Sequence, residues 1–176
     1  MSKLKRGYVH VYTGDGKGKT TAALGLALRA AGADLKVAII QFMKGQSYSE
    51  IEAVNRYLPQ IDVLQTGRTQ CIRKEDVTDE DRAEAQHGLY HAREALAGSD
   101  IDLLILDEIL VAHWFGLVSL NDILFLIDHR PEHLELVLTG RKAPPEVVQR
   151  ADLVTEMLEI KHYYTQGVFA RKGIES

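Results

Sequence analysis

A strand-like segment that runs directly into a glycine- and lysine-rich loop constrains this chain more than any other feature of its sequence. Residues 8–13 are mostly β-branched and aromatic, and residues 14–21 read Gly-Asp-Gly-Lys-Gly-Lys-Thr-Thr. An apolar helical pattern follows over residues 22–31. Because a strand, loop and helix in this order aim backbone N–H groups and a helix N-terminus at one small volume, the segment predicts a polyphosphate site.

The loop is close to the phosphate-binding pattern G-x-x-x-x-G-K-[S/T], with one difference. Thr13 stands five positions before Gly18, so the first glycine arrives one residue late. In this pattern the lysine neutralises terminal phosphate oxygens and the next hydroxyl completes a magnesium shell, so we expect these roles for Lys19 and Thr20. A turn that merely joins a strand to a helix is the alternative interpretation. The expected nucleotide-binding residues of the loop are Gly14, Asp15, Gly16, Lys17, Gly18, Lys19, Thr20 and Thr21.

Composition and charge narrow the class of protein. The 176 residues are 45% hydrophobic and 26% charged, which is ordinary for a globular chain, and we expect one domain over residues 1–176. The net charge of −4 and the dispersed Lys and Arg favour a small-molecule substrate over nucleic acid. Neither a signal sequence nor a membrane span is evident, which favours the cytoplasm. The single cysteine, Cys71, excludes an internal disulfide and is expected to be a small packed side chain.

Strand-like runs alternate with helical patterns along the chain, which predicts an α/β fold with parallel strands. The strand-like runs are residues 8–13, 36–41, 61–66, 101–107, 134–139 and 153–160. Helices are predicted over residues 20–31, 49–58, 79–97, 120–128 and 145–150. In a doubly wound sheet the ligand lies beyond the carboxyl ends of the strands, so the polar loops 44–49 and 67–76 are placed to meet substrate.

The fourth strand-like run ends in two carboxylates. Four apolar residues, 103–106, run into Asp107 and Glu108, as in a buried parallel strand with acids at its tip. In phosphate-loop proteins the first such carboxylate holds magnesium, usually through water, and the second can orient a nucleophile or complete the metal site. We therefore expect Thr20, Asp107 and Glu108 at the metal ion, and Lys19, Thr20 and Glu108 in catalysis. A buried strand that simply surfaces into charged residues is the structural alternative.

Three further groups have both a functional and a structural interpretation. Arg141, just after residues 134–139, could bind phosphate or ribose, or pair with a neighbouring acid at the surface. His87 and His91 have the spacing of two metal ligands on one helix face, but no acid lies where a zinc protease needs it, so a solvated pair is favoured. Residues 113–115, His-Trp-Phe, could form an apolar wall near the nucleotide or pack under a loop.

With these segments collected, the chain resembles the ATP:corrinoid adenosyltransferases that carry their own variant phosphate loop, and the likeness covers nearly the whole sequence. It rests on residues 13–23, 41–45, 106–108, 138–141, 151–157, 161–162 and 172–175. The displaced glycine of the loop is also similar to the family form. The resemblance implies a single-domain RecA-like P-loop fold, with a mostly parallel sheet of about six strands flanked by helices.

The same resemblance implies the reaction and its participants. Such enzymes transfer the 5′-deoxyadenosyl group of ATP to cobalt(I) of a reduced corrinoid and release triphosphate, in adenosylcobalamin biosynthesis or corrinoid salvage. They use Mg²⁺ or Mn²⁺, are typically homodimers and work with an electron-donating reductase. They bind ATP in the reverse of the usual direction along the loop, so that the ribose 5′ carbon faces the corrinoid. Because cobalt(I) is itself a strong nucleophile, such a site needs alignment and charge stabilisation rather than a general base.

Two departures from the family pattern stand out. Relatives carry an aromatic pair, in the loop after the third strand, that helps to remove the lower ligand of cobalt, whereas this chain has Arg68 and Gln70. The hypothesis that follows is that residues 113–115 supply the apolar wall instead. Only six residues precede Gly7, too few for the N-terminal helix that covers the corrinoid in some relatives.

Other classes of function stay open at the level of sequence. A P-loop ATPase or nucleotide switch would use Glu108 to orient water at the γ-phosphate and would act on a protein partner. Its products are ADP and phosphate, whereas adenosyl transfer releases triphosphate. A small kinase ranks last, because the sequence has no obvious lid segment and no base placed for an acceptor hydroxyl.

Overall fold

The six predicted strands pair into one sheet. The computed structural model describes residues 4–46, 48–69, 72–98 and 100–175. The strands are β1 (Val9–Thr13), β2 (Val37–Phe42), β3 (Ile61–Thr66), β4 (Leu103–Asp107), β5 (Glu135–Thr139) and β6 (Leu153–Glu156). In the described chain they lie in the order β3-β2-β4-β5-β1-β6, and every neighbouring pair is parallel. The predicted α/β fold with a parallel sheet of about six strands is confirmed.

Helices join the strands, because a parallel pair needs a crossover that returns the chain to the same end of the sheet. The described α-helices are α1 (Lys19–Gly32), α2 (Ser49–Tyr57), α3 (Asp79–Ala97), α4 (Ile109–Trp114), α5 (Leu120–Asp128) and α6 (Pro145–Arg150), with 3₁₀ turns at Lys74–Asp76 and Tyr163–Gln166. Helix α4 was not predicted, because its six residues are too few to show a helical period and, unlike α6, it has no proline at its start. Among the described helices, none has the length and apolar character that a membrane span requires.

Apolar side chains fill both faces of the sheet. On β4, Leu103 and Ile105 pack in the layer that contains α1, whereas Leu104 and Leu106 pack in the layer that contains α3, α4 and α5. Every residue of β4 is buried. Burial on both faces explains why this strand reads as a continuous apolar run rather than as an alternating one.

The strand order brings the carboxyl ends of β1, β5 and β4 side by side, with β5 between the other two. Tyr12 lies opposite Thr139 in the β1–β5 pair, and Leu106 lies opposite Leu138 in the β4–β5 pair. The residues that end these three strands therefore meet at one edge of the sheet. The loop after β1 begins at the same edge, as the general rule for ligand sites in open α/β sheets requires.

The last strand is shorter than predicted. β6 stops at Glu156, so the prediction of a strand over residues 153–160 was wrong for its last four residues. Immediately beyond, the Met157 N–H donates to the Thr13 carbonyl at 2.8 Å, and the Met157 carbonyl accepts from the Gly16 N–H at 2.7 Å. Because β1 ends at Thr13, the chain beyond Glu156 hydrogen-bonds to the phosphate loop instead of pairing with a strand.

Candidate active site

The loop after β1 is a tight backbone cradle. Gly14 and Gly18 have φ angles of 95° and 115°, which residues with a Cβ rarely adopt. Gly18 is also the N-cap residue of α1, so the N-terminus of that helix faces the volume that the loop encloses. Unpaired N–H groups and the helix dipole make such a volume favourable for an anion.

Lys19 is folded over this cradle. Its Nζ donates hydrogen bonds to the carbonyl oxygens of Gly14 at 2.8 Å and Gly16 at 2.7 Å. The lysine is almost completely buried, and that burial lowers the pKa of its ammonium group. The loop carbonyls thus hold a cation inside the predicted phosphate site.

Asp107, at the tip of β4, is the most heavily hydrogen-bonded side chain of the site. Its carboxylate is 1% exposed. It accepts hydrogen bonds from Thr20 Oγ1 at 3.0 Å and from Thr139 Oγ1 at 2.7 Å. Gln41 Nε2 donates at 3.0 Å and Lys44 Nζ at 2.7 Å. One carboxylate therefore links α1, β2, β5 and the loop after β2.

Lys44 forms the ion pair that makes burial of Asp107 tolerable. Its side chain is 15% exposed, and its Nζ also lies 3.3 Å from Thr20 Oγ1. Burial acts to lower the pKa of Lys44, but the charge of Asp107 and the hydrogen bond to it outweigh burial and raise that pKa. Lys44 is therefore charged at neutral pH, and it stands beside both the hydroxyl and the carboxylate that were expected to hold a metal ion.

Glu108 occupies a different environment from its neighbour. It has a φ angle of 61°, and its backbone N–H donates to Thr139 Oγ1 at 2.9 Å. This left-handed turn directs the chain from β4 into α4, so that adjacent carboxylates are separated: Asp107 is enclosed, whereas Glu108 lines the cavity. Burial, followed by the nearby charge of Asp107, raises the pKa of Glu108.

A cavity of about 710 Å³ opens above the loop. This volume lies within the range of about 300–1,000 Å³ that is usual for small-molecule sites. The predicted site residues on its walls are Asp15, Gly16, Lys17, Gly18, Lys19, Thr20, Thr21, Glu108 and Arg141. The loop 44–49, which was predicted to meet substrate, contributes Lys44, Tyr48 and Ser49 to the wall. The other wall residues, which were not predicted, are Leu24 of α1, Glu50 of α2 and, from the C-terminal segment, Glu159, His162, Gly173, Ile174 and Glu175. Gly14 and Asp107 lie behind this wall, where they support Lys19 and Thr20.

The rim of the cavity carries weaker ion pairs. Arg141 Nη1 lies 3.8 Å from Asp15 Oδ1, and Lys142 Nζ lies 3.7 Å from Asp15 Oδ2. All three side chains are about half exposed, so these pairs contribute little to stability and can rearrange around a ligand. Lys17 Nζ donates to the Ile174 carbonyl at 3.1 Å, which ties the C-terminal segment to the loop.

Two groups singled out from the sequence lie away from this cavity. His87 and His91 face each other on α3 with their Nε2 atoms 3.0 Å apart and exposed. No group of three or more His, Cys, Asp or Glu side chains in the described part of the chain is arranged to hold a metal ion. Trp114, 42% exposed, packs edge-on against Phe115, with ring centroids 5.4 Å apart, and neither ring is among the residues that line the cavity.

Arg68, one of the two residues that depart from the expected aromatic pair, has a structural partner. Its guanidinium forms two hydrogen bonds of 2.7 Å to the carboxylate of Asp81. Asp81 also completes the capping box of α3 with Thr78. Burial acts to raise the pKa of Asp81, but the bonds from Arg68 and Thr78 prevail and lower it. Gln70 and Cys71 lie outside the described residues.

Sequence reasoning brought Thr20 and Asp107 together, but it did not predict that Gln41, Lys44 and Thr139 bind the Asp107 carboxylate, and it missed the C-terminal wall of the cavity. The ends of β2 and β5 carry the polar residues Gln41 and Thr139, and polar residues at strand tips of a parallel sheet are the signal that could have indicated the first group. Nothing in the local pattern of residues 159–175 indicates that they return to the loop.

The fold and the site together define a P-loop nucleotide-binding protein of the RecA-like class. A solved structure of a KaiC-like protein from the archaeon Pyrococcus horikoshii OT3 matches with a TM-score of 0.56 over 90% of this chain and 75% of that one, at 14% identity. At that identity the match shows the fold alone.

The family follows from closer comparisons. The family model of ATP:corrinoid adenosyltransferase BtuR/CobO/CobP matches residues 5–176, and the chain belongs to that family. A corrinoid adenosyltransferase of Pseudomonas aeruginosa is 36% identical, over 99% of this chain and 86% of its own length. Those of Escherichia coli K12 and Salmonella typhimurium are 33% and 32% identical, over 97% and 99% of this chain and 86% and 88% of their own lengths. The resemblance seen in the sequence is confirmed.

The cradle geometry predicts that Gly14 tolerates no side chain. A Cβ at Gly14 would lie 2.3 Å from the Met157 carbonyl oxygen, and the φ angle of 95° adds strain. We expect Gly14→Ala to lower the free energy of unfolding by about 2 kcal/mol or more and to weaken ATP binding. Urea denaturation and isothermal titration calorimetry with ATP measure the two effects.

Gly25→Ala is the matched control, because a Cβ there meets no atom within 4 Å in the middle of α1. It should raise the free energy of unfolding by about 0.5–1 kcal/mol, since alanine is the better helix former. Equal stability and equal ATP affinity in the Gly14→Ala and wild-type proteins would contradict the assigned role of the cradle.

Proposed function

We propose that this chain transfers the 5′-deoxyadenosyl group of ATP to cobalt(I) of a corrinoid and releases triphosphate. Membership of the ATP:corrinoid adenosyltransferase family gives the reaction. The observation that carries the assignment to specific residues is the cluster of Lys19, Thr20 and Asp107 beneath a cavity of about 710 Å³. That cavity is large enough for a nucleotide and has cations on its floor.

The reaction requires the protein to align the ribose 5′ carbon with cobalt and to stabilise the charge of the departing triphosphate. Cobalt(I) donates an electron pair to the ribose 5′ carbon, the cobalt–carbon bond forms, and the bond from that carbon to the triphosphate oxygen breaks. The departing triphosphate keeps the electron pair of the broken bond, so negative charge grows on it. In our proposal the loop N–H groups and Lys19 stabilise that charge, assisted by Lys17 and Arg141 at the rim. No proton is removed from the carbon, so the reaction requires no general base.

Thr20, Asp107 and Glu108 suit a divalent cation. Their hydroxyl and carboxylate oxygens are the ligand types that Mg²⁺ and Mn²⁺ prefer, and Thr20 Oγ1 lies only 3.0 Å from Asp107 Oδ1. We propose that these residues hold the ion, Asp107 by way of water. When bound, the ion would neutralise charge on the triphosphate.

Partners and location are further parts of the proposal. We propose that the chain works in the cytoplasm with a reductase that delivers the electron for cobalt(I). We also propose a homodimer, supported by an apolar edge of the sheet. In the described structure β6 pairs only with β1, and apolar side chains on and after it, at Leu153, Val154, Ile160 and Phe169, are exposed. An open apolar sheet edge is a surface that a second chain commonly covers.

We propose that the apolar wall, the surface that helps to remove the lower ligand of cobalt, lies at the end of α4. This helix starts directly after Glu108 and has six residues, which places Trp114 within about 9 Å of the cavity wall along the helix axis. Trp114 and Phe115 form an edge-to-face pair, and Lys74 Nζ lies 5.5 Å from the Trp114 ring. Arg68 cannot take the wall role while both of its bonds to Asp81 persist, so the aromatic pair is the better candidate.

Removal of the phosphate-site cation or hydroxyl should abolish the reaction. We expect Lys19→Ala and Thr20→Ala each to lower the rate by at least about 100-fold, because the leaving triphosphate loses its main stabilising charge or its metal ligand. The assay is anaerobic, with ATP and chemically generated cob(I)alamin, and follows formation of a photolabile alkylcobalamin. Phosphorus NMR of the same mixture identifies the phosphate product.

The control for those variants is Lys36→Ala, whose exposed ammonium lies 4.0 Å from Asp100 near the opposite edge of the sheet. It should keep the wild-type rate. Near-normal turnover by either site variant would contradict the assigned roles, and ADP with inorganic phosphate as the products would favour the ATPase or nucleotide switch instead.

The apolar wall is tested by the double variant Trp114→Ala with Phe115→Ala. With cob(II)alamin and a reductase, we expect adenosylation to fall by roughly tenfold, since about 1.4 kcal/mol of stabilisation of the reducible corrinoid would be lost. With chemically generated cob(I)alamin the rate should stay close to that of the wild type. An unchanged rate of adenosylation from cob(II)alamin would contradict the proposed role of Trp114 and Phe115.

Light scattering tests the proposed dimer. The wild-type protein should have about twice the chain mass of 19.7 kDa. The double variant Ile160→Asp with Phe169→Asp should shift toward the monomer, because charge on the apolar edge opposes pairing. Tyr57→Ser, which alters an exposed aromatic on α2, is the control and should leave the mass unchanged. A wild-type monomer at micromolar concentration would rule the dimer out.

A further inference from the structure

We propose that the ammonium group of Lys44 occupies the divalent-cation position of this site when no nucleotide is bound, so that the metal ion enters only together with ATP. The inference rests on the proposed function, because it concerns the same metal position. It gives a role to Lys44, which belongs neither to the phosphate loop nor to the acid pair at the end of β4.

The first support is the position of the ammonium. Lys44 Nζ lies 2.7 Å from Asp107 Oδ2 and 3.3 Å from Thr20 Oγ1. In the proposed site a magnesium ion would bind the Thr20 hydroxyl at about 2.1 Å and reach Asp107 through water. The ammonium and such an ion would therefore compete for the space between Thr20 and Asp107, and only one of them can be present.

The second support is charge balance. Lys44 and Asp107 are 15% and 1% exposed, so water screens the pair poorly. In the structure Lys19 and Lys44 stand against Asp107 and Glu108, which is a balanced set of two cations and two acids. A divalent cation added to this cluster without its nucleotide would place excess positive charge in a buried site.

ATP removes that obstacle. Its triphosphate brings several negative charges into a cavity that Lys19 and Lys44 both line. Because a lysine has a flexible stem and three equivalent donors, the Lys44 ammonium can leave Asp107 for a phosphate oxygen as the metal ion takes its place. Lys44 would then couple metal binding to ATP binding, as a positioning residue for the ion.

The test measures metal binding without nucleotide or corrinoid. Mn²⁺ is titrated into the purified full-length chain at pH 8, and free Mn²⁺ is followed by electron paramagnetic resonance. Lys44→Met removes the charge and keeps most of the apolar stem, so it should bind Mn²⁺ roughly tenfold more tightly than the wild type. Adding Asp107→Asn to Lys44→Met should cancel the gain. Lys36→Met, an exposed lysine that also faces an aspartate, should match the wild type.

A gain in affinity is an outcome that mere structural damage would not produce. Circular dichroism and urea denaturation check that each variant is folded, and Lys44→Gln serves the same purpose if Lys44→Met does not fold. Equal Mn²⁺ affinity in the wild type and in a folded neutral variant would overturn the proposal. The titration needs no corrinoid, so a failure of adenosyl transfer would count against the proposed function and leave this result standing.

Discussion

The buried carboxylate of Asp107 is the interaction on which the carboxyl edge of the sheet depends. A charge with 1% exposure is tolerated only when it is paired and fully hydrogen-bonded, and here Lys44, Thr20, Gln41 and Thr139 provide that environment. These donors come from three separate parts of the chain: the start of α1, the end of β2 with the loop after it, and the end of β5. Their convergence fixes the start of α1, and with it the phosphate loop, relative to the acidic strand. The binding geometry is thus built into the fold before any ligand arrives.

This arrangement suits a reaction in which the protein aligns and stabilises rather than exchanges protons. The loop is held by Gly14 and Gly16 against Met157, and its cation is held by backbone carbonyls. The neighbouring acids have different environments, because Asp107 is enclosed and Glu108 is open to the cavity. Fixed dipoles and charges that need no rearrangement during the reaction are the most effective form of electrostatic catalysis.

Sequence reasoning succeeded where the signal is local. The phosphate loop, the acid pair after an apolar run and the alternation of strands with helices predicted the parallel sheet, because each depends on neighbouring residues. Helix α4 was missed because its six residues show no period and, unlike α6, it has no proline at its start. Strand β6 was overextended because its partner β1 ends at Thr13, and the Met157 carbonyl then accepts from Gly16 of the phosphate loop. The roles of Lys44 and Thr139 depend on contacts with Asp107 over separations of 63 and 32 residues, which no short pattern contains. The same holds for Arg68, whose partner Asp81 explains why a cation stands there.

The central claim is that the triphosphate of ATP is held on the loop formed by residues 14–21 with its ribose 5′ carbon presented for attack. A crystal structure of the protein with ATP and Mg²⁺ measures this most directly. We expect phosphate oxygens in contact with the loop N–H groups and Lys19, the ion on Thr20, and the 5′ carbon open to the cavity mouth. An empty loop, or a triphosphate anchored elsewhere on the surface, would contradict it.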